Sequence, residues 1–297
     1  MTTWTGGEGN YDGTNAQHVL VSSTGVIGVP LPIEKIEEGV RGMTGDLVAD
    51  PLVGAEGIMT TDTHPKAISM RVGKATITIV AKGAGMIEPN MATMLAYIFT
   101  DARLSAAALD RMLRDAAFIS FNMLSIDTDT STSDTCVIMA NGLAGEVDEG
   151  AFNDALQAAC IRMTEILARD GEGATKLLCA TVRGAASVDE ARRVAKSLVN
   201  SPLIKTMAHG ADPNVGRILM AIGKCFDVQI ANDSVQASIN GVPVVENGRR
   251  AQFEDAHVRA TLAAEVVDLG AGSAEAVAYG CDLTAGYVEE NAAYYSS

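Results

Sequence analysis

Aromatic residues are scarce in this 297-residue sequence: Phe, Tyr and Trp together make up 4%, and the only tryptophan is Trp4. Any core must therefore be built from Ala, Val, Ile, Leu and Met. Positive charge is also in short supply, with 22 Lys and Arg against 37 Asp and Glu and a net charge of −15. No basic cluster interrupts the acidity, which argues against binding to nucleic acid or to an anionic membrane, since both need a positive footprint. No apolar run approaches the ~20 residues that span a bilayer, and residues 1–7 have neither a basic stretch nor an apolar one. A cytoplasmic protein is expected. The five cysteines, Cys136, Cys160, Cys179, Cys225 and Cys281, include no CxxC pair. Most sit in apolar runs and read as small buried hydrophobes in a reducing compartment, not as disulfides or metal ligands. The four histidines are scattered, with no HExxH and no Ser/His/Asp spacing. Gly171 to Gly173 lacks the spacing of a dinucleotide fingerprint. No cofactor or metal is expected.

What remains is 47% apolar and 20% charged, the composition of a globular chain. His18 to Ser22 reads as a short strand running into a turn at Thr24-Gly25. Pro32 to Val40 looks like a short helix, and Ala75 to Ala81 is a strand rich in β-branched residues. Ser105 to Phe118 fits a helix capped by Ser105, and Thr135 to Met139 fits a buried strand. The clearest helix is Asp148 to Arg169, with Phe152, Leu156, Cys160, Met163 and Leu167 at helical spacing. Leu177 to Val182 is a further strand, and Ser187 to Glu190 fits a capping box. Short strands follow, with a hairpin turn at Asn240-Gly241, and the last two are Ala264 to Leu269 and Ala274 to Tyr279. Strands and helices come in groups, which points to an α+β fold with antiparallel or mixed sheets.

The most unusual stretch is Lys82 to Leu95, KGAGMIEPNMATML. A glycine-rich turn leads to a proline, then to a small residue and to Thr93, which opens the apolar run Met94 to Phe99. A hydroxyl at the junction of a loop and a core element is well placed for a nucleophile. It is equally what an ordinary loop entering a core strand contains. The acidic run Asp127, Asp129 and Asp134 alternates with Thr and Ser, and fits a hydroxyl-rich turn at least as well as a cation site.

The same stretch is similar to the self-cleavage segment of the ornithine acetyltransferase (glutamate N-acetyltransferase) family. Further matches run in order: Ser23 to Gly28, Met59 to Thr63, Asp127 to Thr135, Asp170 to Ala174, Asp212 to Asn214, and Cys281 to Thr284. The resemblance implies two sheets packed between helical layers, an αββα-like sandwich. It also implies a cut between Ala92 and Thr93, giving chains 1–92 and 93–297, two of each in a heterotetramer. Both chains would contribute to one catalytic domain, beside a smaller C-terminal subdomain. The freed Thr93 would be the nucleophile. An N-terminal threonine carries its own base, an α-amine with an ordinary pKa of roughly 7.7–8.0. Thr24 and Gly25 would form the oxyanion hole. Thr60, Lys82, Thr93, Glu172, Asn291 and Ser296 would bind substrate, with Lys82 suited to a carboxylate and Glu172 to an ammonium group. The implied partners are N-acetylornithine and glutamate, with acetyl-CoA as a further donor left open.

Three departures from the family stand out. The sizeable segment that precedes the Ser23 to Gly28 motif in the family is almost absent. Val215 stands where the family usually has Trp, and Ser296 where it often has Thr. Two alternatives follow: a self-processing amide hydrolase or aminopeptidase of similar architecture, and an inactive shortened homologue serving as an assembly subunit.

Overall fold

The structure, a computed structural model, describes residues 19–88, 94–254 and 264–292. The fold is an α+β sandwich of two mixed sheets with helices. The first sheet begins with a hairpin of β1 (Lys66–Val72) and β2 (Ala75–Lys82), turned at Gly73 with φ +59°. It continues with β3 (Leu95–Arg103), antiparallel to β2, and closes with β4 (Thr135–Glu146), parallel to β3. The β3 to β4 connection carries helix α3 (Ala106–Ile119), as parallel neighbours require a crossover.

The second sheet has the order β10-β5-β9-β6-β7-β8. Its strands are β5 (Leu177–Ala185), β6 (Gln236–Ile239), β7 (Val242–Glu246), β8 (Arg249–Arg250), β9 (Ala264–Asp268) and β10 (Ala274–Cys281). β5 and β9 run parallel and the other neighbours antiparallel. The β6–β7 hairpin turns at Asn240 (φ +49°) and Gly241 (φ +81°). Positive φ at both central residues is what a tight hairpin turn needs and what Asn-Gly supplies most easily.

Helix α4 (Glu149–Arg169) occupies the middle of the molecule. The Asp148 carboxylate caps it by accepting from the Ala151 N–H at 2.7 Å. Phe152, Leu156, Cys160, Met163 and Leu167 are all fully buried, so the helical stripe read from the sequence is the core face. That face touches β1 and β2 of the first sheet, β5 and β10 of the second, and α3. Helix α5 (Val188–Val199) covers β5 and β10 from another side, with α6 (Pro202–His209) and α7 (Val215–Gly223) beyond it. Val215 is buried at the start of α7. Two short helices, α1 (Ile33–Val40) and α2 (Pro51–Gly57), precede the first sheet, and α8 (Ala285–Ala292) follows the last strand.

Three expectations need correction. The segment 19–22 is not a strand: it pairs with neither sheet, and Val19, Leu20 and Val21 are exposed. The turn that follows is not at Thr24-Gly25 but at Val26–Val29, closed by Val29 N–H to Val26 C=O with Gly28 at φ +84°. The capping box at Ser187 is half formed. Its hydroxyl accepts from the Glu190 N–H at 3.2 Å, while the Glu190 carboxylate accepts from the Gln229 N–H instead. In addition, β4 is an edge strand, so Met139 stands 45% exposed in a strand expected to be buried.

Because α4 faces both sheets, truncating its central Leu156 should leave a cavity that neither sheet can fill. Leu156→Ala should cost about 2–5 kcal/mol, read as a lower urea midpoint at unchanged slope. A shift below about 1 kcal/mol would mean that α4 is not the central packing element.

Candidate active site

The register of the first sheet brings three strand ends together. Lys82, the last residue of β2, pairs with Leu95, the first of β3, and Leu95 pairs in turn with Thr135, the first of β4. The cluster at this end of the sheet is polar and mostly buried. Lys82 is 3% exposed and its ammonium donates to the Thr60 hydroxyl at 2.9 Å. Burial pushes the Lys82 pKa down from its ordinary value, opposed by the negative charge of Asp62, Glu172 and Asp134.

Asp62 ties Thr60 to Lys82. Its carboxylate accepts from the Gly83 N–H at 2.7 Å, the Thr60 N–H at 3.1 Å and the Lys66 ammonium at 2.6 Å. Burial alone would raise its pKa, but these donors outweigh it and hold the carboxyl below its ordinary value. Lys66 also reaches Asp170 at 2.5 Å, so one ammonium bridges two carboxylates, and all three side chains are 0–3% exposed. Asp170 in turn accepts from the Thr63 N–H at 3.1 Å and from the Thr63 hydroxyl, and meets His64 at 3.2 Å.

Two residues beyond Asp170, the Glu172 N–H donates to the Ala84 C=O at 2.8 Å, joining the turn after α4 to the glycine loop after β2. A Cβ on Gly85 would fall on the Glu172 carboxyl, so only glycine lets this side chain lie across the loop. Asn291 of α8 donates to the Glu172 carboxylate at 2.7 Å. Gly173 (φ +63°) packs against the backbone of Gly286 and Tyr287, and its carbonyl accepts from the Thr284 hydroxyl at 2.6 Å. The start of α8 is thereby fixed to the same turn.

Acidic side chains also anchor the chain on either side of residues 89–93. Glu88 accepts from Ser125 and Asn200, each at 2.6 Å, and lies 3.4 Å from Lys196. Asp127 accepts from two successive amides, Met86 and Ile87, at 2.6 and 3.0 Å. On the far side, Asp134 accepts from the Met94 N–H at 2.5 Å. Two members of the acidic run, Asp127 and Asp134, thus serve the main chain on either side of the loop.

Of the residues singled out in the sequence, Thr60, Lys82, Glu172 and Asn291 are brought together. Ala92, Thr93 and Ser296 lie outside the described residues. Thr24 is half-buried and Gly25 exposed, and among the described residues no hydrogen bond links either to Lys82, Asp62 or Glu172. Their segment is tied to the sheet by the hydroxyls of Ser22 and Tyr97, the latter on β3. Two shallow surface hollows lie toward the other end of this sheet, around Phe99, Met139 and Leu143, and include none of the cluster. Sequence reasoning missed Asp62, Lys66 and Asp170. The first lies in the Met59 to Thr63 motif, but Lys66 has no signal in a sequence, where a lysine before a strand reads as solvated.

The ArgJ family profile matches residues 8–296. The chain belongs to the ArgJ family. It is 50% identical to "Arginine biosynthesis bifunctional protein ArgJ 2" of a Nostoc species, covering 95% of this chain and 74% of that protein. It is 46% identical to "Glutamate N-acetyltransferase Oat2" of Streptomyces clavuligerus, covering 93% of this chain and 73% of the relative. A crystal structure of an ArgJ bifunctional protein from Bacillus halodurans matches with a TM-score of 0.66 at 37% identity, over 68% of this chain and 100% of that one. The ArgJ relationship supports the α+β sandwich. Among the described residues no helix is long and apolar enough to cross a membrane.

Removing the bridging cation should expose how much the cluster depends on it. Lys66→Met leaves Asp62 and Asp170 buried without the cation they share and should cost about 3–5 kcal/mol in urea unfolding. An unchanged midpoint would mean that the two carboxylates find other partners.

Proposed function

We propose that this chain is an ornithine acetyltransferase, a glutamate N-acetyltransferase of arginine biosynthesis, that activates itself by cutting before Thr93. The observation that carries the reading is a buried cation, Lys82, at the start of one glycine loop, with a carboxylate, Glu172, lying across that loop close enough for its charge to act on Lys82. Substrates that are amino acids, or their N-acetyl derivatives, carry the complementary carboxylate and ammonium. Thr60 holds Lys82, and Asn291 holds Glu172. Ser296 would add a hydroxyl. Relatives whose names state arginine biosynthesis and glutamate N-acetyltransferase support the same reaction.

In self-cleavage the Thr93 hydroxyl attacks the Ala92 carbonyl, a C–O bond forms, and the C–N bond breaks. The hydroxyl proton ends on the Thr93 nitrogen, and water then hydrolyses the ester. The new α-amine can now take the proton of its own hydroxyl. Thr93 next attacks the acetyl carbonyl of N-acetylornithine, ornithine leaves with that proton on its amine, and acetyl-Thr93 remains. The amine of glutamate attacks this ester and regenerates the hydroxyl. Each tetrahedral intermediate needs oxyanion donors, the role given to Thr24 and Gly25. The processed enzyme would consist of chains 1–92 and 93–297, two of each, sharing one catalytic domain with a smaller C-terminal subdomain. It would act in the cytoplasm without a cofactor.

Intact-mass spectrometry tests the nucleophile. Wild type should give two chains, and the chain beginning at Thr93 should gain one acetyl group from N-acetylornithine when glutamate is withheld. Thr93→Ala should stay whole and unlabelled. An uncut wild type that still transfers acetyl groups would sink the mechanism.

Kinetics separate the remaining roles. Thr24→Ala should lower kcat and kcat/KM together, by about 10²–10³-fold if its hydroxyl is a principal donor. Gly85→Ala, which drives the Glu172 carboxyl off the loop, should instead raise KM with a smaller effect on kcat. The opposite pattern would exchange the two assignments.

A further inference from the structure

Five non-glycine residues among the described ones have positive φ, and two of them, Met86 (+50°) and Thr128 (+70°), are held through one carboxylate, that of Asp127. The left-handed region costs a residue with a Cβ about 1–2 kcal/mol, and for a β-branched threonine it is a clear outlier. Asp127 Oδ2 accepts from the Met86 N–H at 2.6 Å. Its Oδ1 accepts from the Ile87 N–H at 3.0 Å and, across Thr128, from the Asp129 N–H at 3.3 Å. The two segments also meet through the main chain, where the Ile126 N–H donates to the Ile87 C=O at 2.7 Å. Strained backbone persists only where its surroundings over-determine it, and such positions cluster at functional sites.

What lies on the loop shows what this one supports. Gly85, the residue before Met86, is where the Glu172 carboxyl rests, so the Met86 turn shapes the surface beneath that carboxyl. Helix α8 bridges the two carboxylates. Its Tyr287 hydroxyl lies 3.4 Å from Asp127 Oδ2. Its Asn291, one turn on, donates to Glu172 at 2.7 Å and to the Tyr287 C=O at 3.0 Å. Burial, and then the charges of Asp127 and Glu172, raise the Tyr287 pKa, so the phenol keeps its proton and can donate.

We propose, resting on the reading of Glu172 as the partner of a substrate ammonium group, that Asp127 and Tyr287 are positioning residues for Glu172. Asp127 holds the Met86 turn on which the Glu172 carboxyl lies. Tyr287 keeps α8 where Asn291 reaches the same carboxyl. Both act through Glu172 and not on the substrate itself, at a place where a displacement of about 1 Å is felt in turnover.

Steady-state kinetics with N-acetylornithine and glutamate test the assignment. Asp127→Asn keeps the size of the side chain but turns an NH2 donor toward an amide, so the turn loses at least one hydrogen bond. KM for N-acetylornithine should rise about tenfold, the equivalent of one hydrogen bond, with kcat changed much less. Adding Met86→Gly removes the Cβ that makes the turn costly, and should restore most of the lost KM, read against Met86→Gly alone. A residue that only stabilised the fold would lower the melting temperature without this split, and glycine at 86 would not repair it.

An unchanged KM in a folded Asp127→Asn enzyme, or a raised KM that Met86→Gly leaves untouched, would overturn the proposal. Should Asp127→Asn not fold, Tyr287→Phe decides, since it removes a single hydroxyl from a partly buried helix residue. A KM raised several-fold at nearly constant kcat then supports the proposal, and a wild-type KM overturns it. Failure of the functional reading is separate, because it shows as a wild type that moves no acetyl group from N-acetylornithine to glutamate.

Discussion

One ammonium group holds the candidate site together. Lys66 sits at the first position of β1, fully buried between Asp62 and Asp170. Asp62 fixes the Thr60 turn and the end of β2, and Asp170 begins the turn that carries Glu172. The three segments that supply Thr60, Lys82 and Glu172 are far apart in sequence and converge on this one cation. A buried ion pair contributes little net stability compared with an apolar core of the same volume, because desolvation offsets most of the attraction. Its value here is geometric. With two carboxylates to satisfy, the ammonium admits few arrangements of those segments.

The glycines after β2 and α4 make that convergence possible. Gly85 leaves room for the Glu172 carboxyl, and Gly173 leaves room for the backbone of α8. The result is a cation at the start of a loop and an anion lying across it, with the loop itself anchored through Asp127, Glu88 and Asp134. Opposite charges placed this way suit a zwitterionic ligand. They also bear on the chemistry. Lys82 raises the acidity of Asp134, Asp134 lowers that of Lys82, and the neighbouring main chain leads directly to Thr93.

Four of the residues that the resemblance implies for the site, Thr60, Lys82, Glu172 and Asn291, lie close together in the fold. Among the described residues no hydrogen bond joins Thr24 or Gly25 to these four. In the sequence that pair sits in a motif as specific as the others, yet in the fold its segment meets the sheet through Ser22 and Tyr97 and has no ladder of its own. The apolar residues 19–21 are exposed there, and the curated relatives are longer than the part of them this chain spans, 72–74% in the examples of 50% and 46% identity.

The sequence by itself determined whatever local periodicity controls. The stripe Phe152, Leu156, Cys160, Met163 and Leu167 fixes α4 because residues three and four apart share a helix face. Ser105 and Asp148 fix helix starts because their side chains satisfy amides that a helix leaves free. Asn240-Gly241 fixes a hairpin because both residues accept positive φ. The Lys82 to Leu95 motif stood out for a different reason, its likeness to a known segment. Only the tertiary structure decided which charges are buried and what they hold. Lys66 looks like any surface lysine until β1 is placed against α4, and Asp134 like any turn aspartate until β4 lies beside β3. Burial and long-range pairing depend on segments 40 to 107 residues apart, and no local pattern records them.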